Sequence, residues 1–462
     1  MVSGAGSTEI AIVGLGHVGL PTALGFAEIG WQVVGMDSMP ERVAMVADGR
    51  APFFEPDLQG LLDRHHRSGR FHVTDSLPEA VARAQVLFVC VSTPQLPDGA
   101  ADLSAIEHVA RTIAANVDGY ALVVDKSTTP VRTAERMKWV LSRYHRGSHE
   151  VEVAVNPEFL QEGNAVHDVL HPDRIVLGVE SDRARTLLTE LYRPLLDRLP
   201  APGECAVCDR RGTAGNSTGR LITTNLETAE LIKHSANSFL ATKISFMNMV
   251  ADLCEVTGAD VSQVARGIGL DPRIGSQFLG AGVGFGGSCL PKDLRAFIRI
   301  ADDHRVDFSL LKDVAAINER RIDRLLEKVR TALWIVKDKT LAILGLSFKP
   351  GTDDVRDAAS TRIVPRLLAE GAHVRLYDPH AMDAFAAVVP PSAEATYCGS
   401  PYEAAEGAHA VVLLTEWDQF RALDLDRLRA AVALPIIIDG RNMLDPATAR
   451  SHGFDYMSFG RP

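Results

Sequence analysis

The feature that most restricts this chain is Gly14-Leu15-Gly16-His17-Val18-Gly19, set between a short apolar run, Ile10 to Val13, and an amphipathic segment, Gly19 to Gly30. Alone, such a glycine string is weak, but here a second apolar run, Gln32 to Met36, follows and ends at Asp37, roughly 20 residues on. Gly14 permits a tight turn and Gly16 lets backbone approach a pyrophosphate. The helix opening at Gly19 then offers unpaired N–H groups to its charge. Asp37 can accept hydrogen bonds from a ribose diol and would repel a 2′-phosphate, so the pattern predicts NAD rather than NADP. Arg42 argues the other way.

The same alternation continues. With Ile10 to Val13 and Gln32 to Met36, the runs Val86 to Val91, Leu122 to Val124 and Val151 to Val155 are rich in Val, Ile and Leu, as strands buried on both faces are, and Val131 to Leu141 reads as a helix. From Asn225 to Thr257 the apolar spacing becomes that of one long helix or two joined, and helical signal resumes from Leu294 to about Ala332. Thr340 to Leu344, Val374 to Tyr377, Val411 to Leu414 and Ile436 to Ile438 restore the strand pattern. The expected fold is α/β, with two doubly wound, Rossmann-like parallel-sheet domains joined by a long central helix. At 462 residues the chain has room for two to four domains. The division expected is 1–199 for the cofactor, 200–219 as an inserted surface loop, 220–332 as a helical central and dimerisation domain, and 333–462 for the substrate.

Composition excludes some partners. Asp and Glu outnumber Lys and Arg by 59 to 48 with no basic stripe, which disfavours nucleic acid. No run of about 18 apolar residues is present, so no membrane span and a soluble, cytoplasmic protein are expected. Six cysteines are too sparse for a disulfide framework. Cys205 and Cys208 form a CxxC in a Pro- and Gly-rich stretch, which is a surface loop, a redox pair or half a zinc site. No His or Cys nearby in sequence completes a metal set, and no metal is expected.

A second chemical signal is Gly284-Phe285-Gly286-Gly287-Ser288-Cys289-Leu290-Pro291-Lys292-Asp293. Ser288 can cap a helix beginning at Cys289, which would put a thiol at the positive end of the helix dipole beside Lys292, with Asp293 one turn on. Cys289 is then either a nucleophile with a lowered pKa or a buried cysteine in a glycine-rich turn. Lys233 and Asn237 lie four apart on the long helix, either flanking an oxyanion or as a snorkelling surface lysine and its neighbour. Lys126-Ser127-Thr128-Thr129-Pro130 and Asn156-Pro157-Glu158-Phe159-Leu160-Gln161-Glu162-Gly163 each follow a strand. Ligands bind at that edge of an open sheet, which brings Thr128, Glu158 and Glu162 near a nicotinamide.

Taken in order, GLGHVG, KSTTPVR, NPEFLQEG, HPDRIVLG, ELIKHSANSF, GFGGSCLPKD, GLSFKPGTDDVRDA, TEWDQF and DGRNML resemble the UDP-glucose and GDP-mannose dehydrogenases over nearly the whole chain. These are NAD-dependent enzymes that oxidise a sugar C6 alcohol to a carboxylate. The resemblance implies Cys289 as nucleophile, Lys233, Asn237 and Asp293 as its helpers with oxyanion and water, and Thr128 and Glu158 in proton transfer. It implies cofactor contacts from Gly14, Gly16, Val18, Gly19, Asp37, Arg42, Thr93, Thr128, Glu162, Lys292 and Arg356. It assigns the sugar nucleotide to Phe159, Leu160, Lys233, Asn237, Phe285, Gly286, Phe348, Lys349 and Arg441, with Arg273 reaching in from a neighbouring subunit.

PFFEPDL and TEWDQF look more like UDP-glucose than GDP-mannose enzymes, and Ser288 stands where N-acetylmannosamine enzymes carry His. The expected reaction is four-electron oxidation of UDP-glucose to UDP-glucuronate through a cysteine thiohemiacetal and thioester. GDP-mannose or dTDP-glucose remain alternatives, as does a sensor that binds a nucleotide sugar without turnover. A homodimer or higher homo-oligomer is expected through the long helix, which is apolar on too many sides for one face of packing.

Overall fold

The computed structural model describes residues 9–197 and 220–462. They form two compact units, the first ending at Ser235 and the second beginning at Ala236. Cys205 and Cys208 lie outside the described residues.

The first unit is built on β1 (Glu9–Val13), β2 (Gln32–Met36), β3 (Phe71–Thr74), β4 (Ala84–Val89), β5 (Ala121–Asp125), β6 (Val151–Val155), β7 (Arg174–Gly178) and β8 (Arg220–Thr224), in the order β3-β2-β1-β4-β5-β6-β7-β8. The six strands from β3 to β6 are parallel, whereas β7 meets β6 antiparallel at Val155 and Gly178, and β8 runs parallel to β7. Side chains alternate across a strand, so continuous apolar sequence means two buried faces. Ile10 and Ile12 enter one core with Phe26, Phe88 and Tyr192, and Ala11 and Val13 the other with Leu87 and Val89.

In the second unit β9 (Thr340–Leu344), β10 (His373–Tyr377), β11 (Ala395–Tyr397), β12 (Ala410–Leu413), β13 (Ile436–Asp439) and β14 (Asp455–Met457) make a fully parallel sheet, ordered β11-β10-β9-β12-β13-β14. Leu341 and Ile343 face one core, and Ala342 and Leu344 the other. Two doubly wound α/β units are thus present, as expected.

One unbroken helix, Leu226–Thr257, runs through the boundary between the units. Phe239, Phe246, Met249, Leu253 and Val256 stand exposed along its later turns. Other boundaries differ from expectation for local reasons. The strand read as Val86 to Val91 stops at Val89, and beyond it the Val91 carbonyl accepts from the Ser127 hydroxyl of the loop after β5. The helix read from Val131 starts at Thr133, because Arg132 takes a left-handed φ of 75°. The helical stretch from Leu294 to Ala332 is two helices, Leu290–Asp303 and Ser309–Leu333, parted where Arg305 turns left-handed. Among the described residues no helix is long and apolar enough to cross a membrane.

Candidate active site

In the first unit the glycine turn has the geometry a dinucleotide needs. Gly14 sits at φ +98°, and a Cβ there would lie 2.6 Å from the Cys90 carbonyl oxygen. A Cβ on Gly19 would strike the Gly14 carbonyl, while the space beside Gly16 is open. The turn therefore brings bare backbone to open space directly before the helix Gly19–Glu28, whose N-terminus has no side-chain cap. Asp37, buried past β2, accepts from Leu15 N–H at 2.8 Å, Met39 N–H at 2.9 Å and the Arg42 guanidinium at 2.9 Å. These residues fit NAD. The Arg42 side chain keeps 30% of its surface, so it neutralises Asp37 from the rim.

Along the same sheet edge, β5 and β6 deliver the two polar motifs. Thr93 donates to the Thr128 carbonyl at 2.9 Å, and Ser127 donates to the Val91 carbonyl at 2.8 Å, so the loop carrying Thr128 is tied to the one after β4. Lys233 donates to Glu158 at 2.7 Å with both side chains only 4% exposed, which removes the snorkelling reading. The second Glu158 oxygen accepts from Leu160 N–H at 2.6 Å. Phe159 is covered by the Arg174 guanidinium, 3.7 Å from its ring centre, and faces the Lys233 ammonium at 5.7 Å. Removing either partner of so buried an ion pair would leave a stranded charge, at a cost of about 3–5 kcal/mol.

Beneath this edge lies a buried acidic layer. Thr129 donates to Asp125 at 2.8 Å, and Glu230 receives the N–H groups of Arg132 and Ala134 at 2.6 and 2.9 Å, so it caps the next helix from the long one. Burial pushes Asp125 and Glu230 each up to about 7, their mutual repulsion adding to it for Asp125. Glu162 is half-buried. Its neighbours Gly163 and Ala165 each donate a backbone N–H to Glu55 at 2.8 Å. Glu55 belongs to the PFFEPDL motif but was not assigned a role from sequence; 108 and 110 residues separate it from what it holds.

The second unit holds the thiol. Cys289 is the N-cap of the helix Leu290–Asp303, with no side chain capping it. This corrects the expected cap by one residue: the first turn closes with Asp293 N–H on the Cys289 carbonyl at 2.8 Å, so Ser288 lies outside and its hydroxyl sits 3.6 Å from the sulfur. Asp293 is fully buried, with Lys292 on one oxygen at 2.7 Å and the Asn237 amide on the other at 2.6 Å. Lys292 thus directs its charge to Asp293.

The glycine loop before the thiol is clamped. Asn318 pairs with both the N–H and carbonyl of Phe285, at 2.8 and 2.9 Å. No sequence signal marks Asn318 apart from its place on an apolar helix face. A Cβ on Gly287 would lie 2.6 Å from the Phe348 ring, and Gly286 is packed as closely on the Asp357 carbonyl. Arg441 donates to the carbonyls of Leu414 (2.7 Å), Gly284 (2.8 Å) and Phe348 (3.2 Å), binding three loops. Lys349 lies 5.7 Å from the Phe348 ring centre. Arg356 and Arg273 are exposed and chelate Asp354 and Asp271, each with a shortest contact of 2.6 Å. Among the described residues no cluster of three or more His, Cys, Asp and Glu is placed to hold a metal.

Three protein-family models match: the NAD binding domain of the UDP-glucose/GDP-mannose dehydrogenase family over residues 8–196, its central domain over 227–320, and its UDP binding domain over 342–446. The UDP-glucose 6-dehydrogenase of Rhizobium meliloti (strain 1021) is 43% identical, with 98% of this chain and all of that protein covered. That of Pseudomonas aeruginosa is 42% identical, with 98% of each covered. The solved structure of a UDP-glucose dehydrogenase from the hyperthermophilic archaeon Pyrobaculum islandicum superposes with a TM-score of 0.87 at 34% identity, covering both chains fully.

Proposed function

Since this chain belongs to the UDP-glucose/GDP-mannose dehydrogenase family, we propose that it is an NAD-dependent UDP-glucose 6-dehydrogenase, oxidising the C6 alcohol of UDP-glucose to the carboxylate of UDP-glucuronate. The observation that carries this reading is end-to-end likeness to relatives named for that activity, at 43% and 42% identity. The cysteine chemistry rests on a different feature, a thiol at a helix N-terminus with a buried carboxylate, Asp293, one turn on and the Asn237 amide of the long helix bonded to that carboxylate.

NAD, when bound, supplies the hydride acceptor for each of two oxidations. In the proposed mechanism Glu158, with Thr128, takes the C6 hydroxyl proton in the first oxidation, leaving an aldehyde. Cys289 thiolate adds to the aldehyde carbon, forming a C–S bond and an oxyanion that Lys233 and Asn237 stabilise as the thiohemiacetal. Loss of the second hydride leaves a thioester. Water, oriented by Asp293 and Lys233, breaks the C–S bond and releases the carboxylate and the thiol. The helix dipole supports this role, because it favours the thiolate over the thiol.

We propose a homodimer through the central helix, supported by the exposed stripe Phe239, Phe246, Met249, Leu253 and Val256, and a contribution of Arg273 to the neighbouring copy's substrate. A panel of UDP-glucose, dTDP-glucose and GDP-mannose assayed with NAD tests the function. Two NADH and one carboxylate per UDP-glucose, with no free aldehyde, are expected. One NADH per sugar would mean a plain alcohol dehydrogenase, and binding without NADH would mean a sensor.

A further inference from the structure

The loop that leads into Cys289 is held by side chains where a sheet would use a neighbouring strand. Ala281 to Ser288 belong to no strand and no helix, yet Ala281 to Gly284 are buried, and a buried backbone N–H or carbonyl has to be paired. Asn248 of the long helix accepts from Gly282 N–H at 2.8 Å, and the Arg321 Nε donates to the Gly282 carbonyl at 3.0 Å. Three residues on, Asn318 does both for Phe285, at 2.8 and 2.9 Å. Between them Val283 N–H reaches the Gly440 carbonyl at 2.8 Å, and a Cβ on Gly282 would lie 2.5 Å from that same oxygen.

Arg321 is the unexpected member of this set. It is among the largest fully buried side chains of the described residues, and the mechanism above makes no use of it. Its charge is balanced by Asp252, which accepts from Nη1 at 2.7 Å one turn along the long helix from Asn248, and by the Phe459 ring, whose centre lies 4.4 Å from the guanidinium carbon. Packing alone does not require such a residue, since a Met or Leu fills comparable space with no charge to strip of water. What those residues lack is a donor for the Gly282 carbonyl. Arg321 and Asn318 are three apart on the helix Ser309–Leu333, and so adjacent on one face, which matches the spacing of the two backbone sites they hold.

We propose that Arg321, Asn248 and Asn318 are positioning residues: by holding the backbone of Gly282 and Phe285 they give the loop one shape and the Cys289 sulfur one place. The inference rests on the dehydrogenase reading above and deepens it, because it separates the two oxidations. Forming the aldehyde calls on Glu158 and Thr128, whereas the thiol adds only to the aldehyde once formed. A loosened loop slows that addition and gives the aldehyde time to leave. Each sugar lost in this way has given up one hydride and one proton and has yielded one NADH.

The test counts NADH formed per UDP-glucose consumed, together with free aldehyde caught by a hydrazine, for the intact protein and for Arg321→Met, Asn248→Leu, Asn318→Asp and Asn248→Asp. The first two are expected to lower kcat roughly 10- to 100-fold, with fewer than two NADH per sugar and trapped aldehyde. Asn318→Asp, which sets a carboxylate oxygen against the Phe285 carbonyl, should move the same way. Asn248→Asp keeps the oxygen that Gly282 N–H needs and should still give two NADH and no aldehyde. The ratio is counted per sugar and so does not depend on how much of a variant is folded; if Arg321→Met is not recovered, Asn248→Leu and Asn318→Asp carry the test. Two NADH and no aldehyde in these variants, at whatever rate, would make the three residues merely structural and overturn the proposal, as would an Asn248→Asp protein that behaves like Asn248→Leu. An intact protein that makes no NADH from any nucleotide sugar, or only one per sugar, would instead overturn the reading of function, so the two failures are separable.

Discussion

The two units open on the same turn and then diverge. Gly14 and Gly345 follow their first strands at φ +98° and +99°, and the next N–H, Leu15 or Leu346, is received at 2.8 or 2.7 Å by a carboxylate ending the adjacent strand, Asp37 or Asp378. After Gly14 the helix begins at Gly19; after Gly345 the chain runs through a loop to the helix Ala359–Ala369. Among the described residues Asp37 accepts from three donors, whereas Asp378 accepts from six: the N–H groups of Leu346, Ser347, His380 and Ala381, the Ser347 hydroxyl and the Trp417 indole. The first carboxylate still has capacity for a ribose diol, and the second is filled by its own loops. The lesson is that one framework serves two ligand classes, the choice lying in how soon the helix follows the glycine. An immediate helix offers backbone N–H groups to a pyrophosphate, and a delayed one makes room for side chains such as Phe348 and Lys349.

The comparison breaks most visibly at the thiol, which only the second unit contributes to the proposed chemistry. Replacing Cys289 by Ala should lower turnover by several orders of magnitude, while calorimetric NAD binding stays within about twofold. Two NADH per sugar at near the parental rate would make Cys289 structural. Next in size is the pair Gly14→Ala and Gly345→Ala, which place a Cβ 2.6 Å from the Cys90 carbonyl oxygen and 2.5 Å from Thr415. Gly14→Ala should weaken NAD at least tenfold. Gly345→Ala should leave NAD affinity alone and lower the melting temperature and the apparent affinity for UDP-glucose.

Asp37→Asn and Asp378→Asn sharpen the contrast further. The first is expected to cut NAD preference over NADP by about tenfold, read from the ratio of kcat/KM values. The second, which turns an acceptor toward six donors into a group with donors of its own, should cost about 1–3 kcal/mol in denaturant unfolding and leave cofactor preference unchanged.

The smallest effect concerns the acidic layer of the first unit. Asp125 and Glu230 titrate near 7 when folded and near 4 when unfolded, so the folded state holds the protons more tightly. Their stabilising contribution is complete below about pH 4 and is lost as pH rises through 7. Melting temperature should therefore fall by a few degrees between pH 5 and 8, and Asp125→Asn, which keeps an acceptor for Thr129, should flatten that slope.

Much of this frame was legible in the chain. Glycine strings, two-face apolar runs and an acid after the second strand are local patterns, and local patterns determine parallel α/β units. What escaped were pairings across long sequence distance. Lys233 read as a surface lysine when taken alone because Glu158, 75 residues away, is invisible to helical spacing. Glu55 and Asn318 act on backbone N–H and carbonyl groups, which carry no residue identity to recognise. The antiparallel entry of β7 was not legible either, since strand direction depends on the length and path of a connection, not on the strand's own residues.

Lys233 and Asn237 stand one helical turn apart on an unbroken rod, each bonded to its own unit's carboxylate. A helix advances about 100° per residue, so inserting or deleting one residue between them would swing one around the axis away from the other, though neither sheet would lose a contact. Sequence drift can therefore be absorbed by substitution along this rod but not by a change of length between these two positions. Chimaeras assembled from related proteins should place their junctions elsewhere.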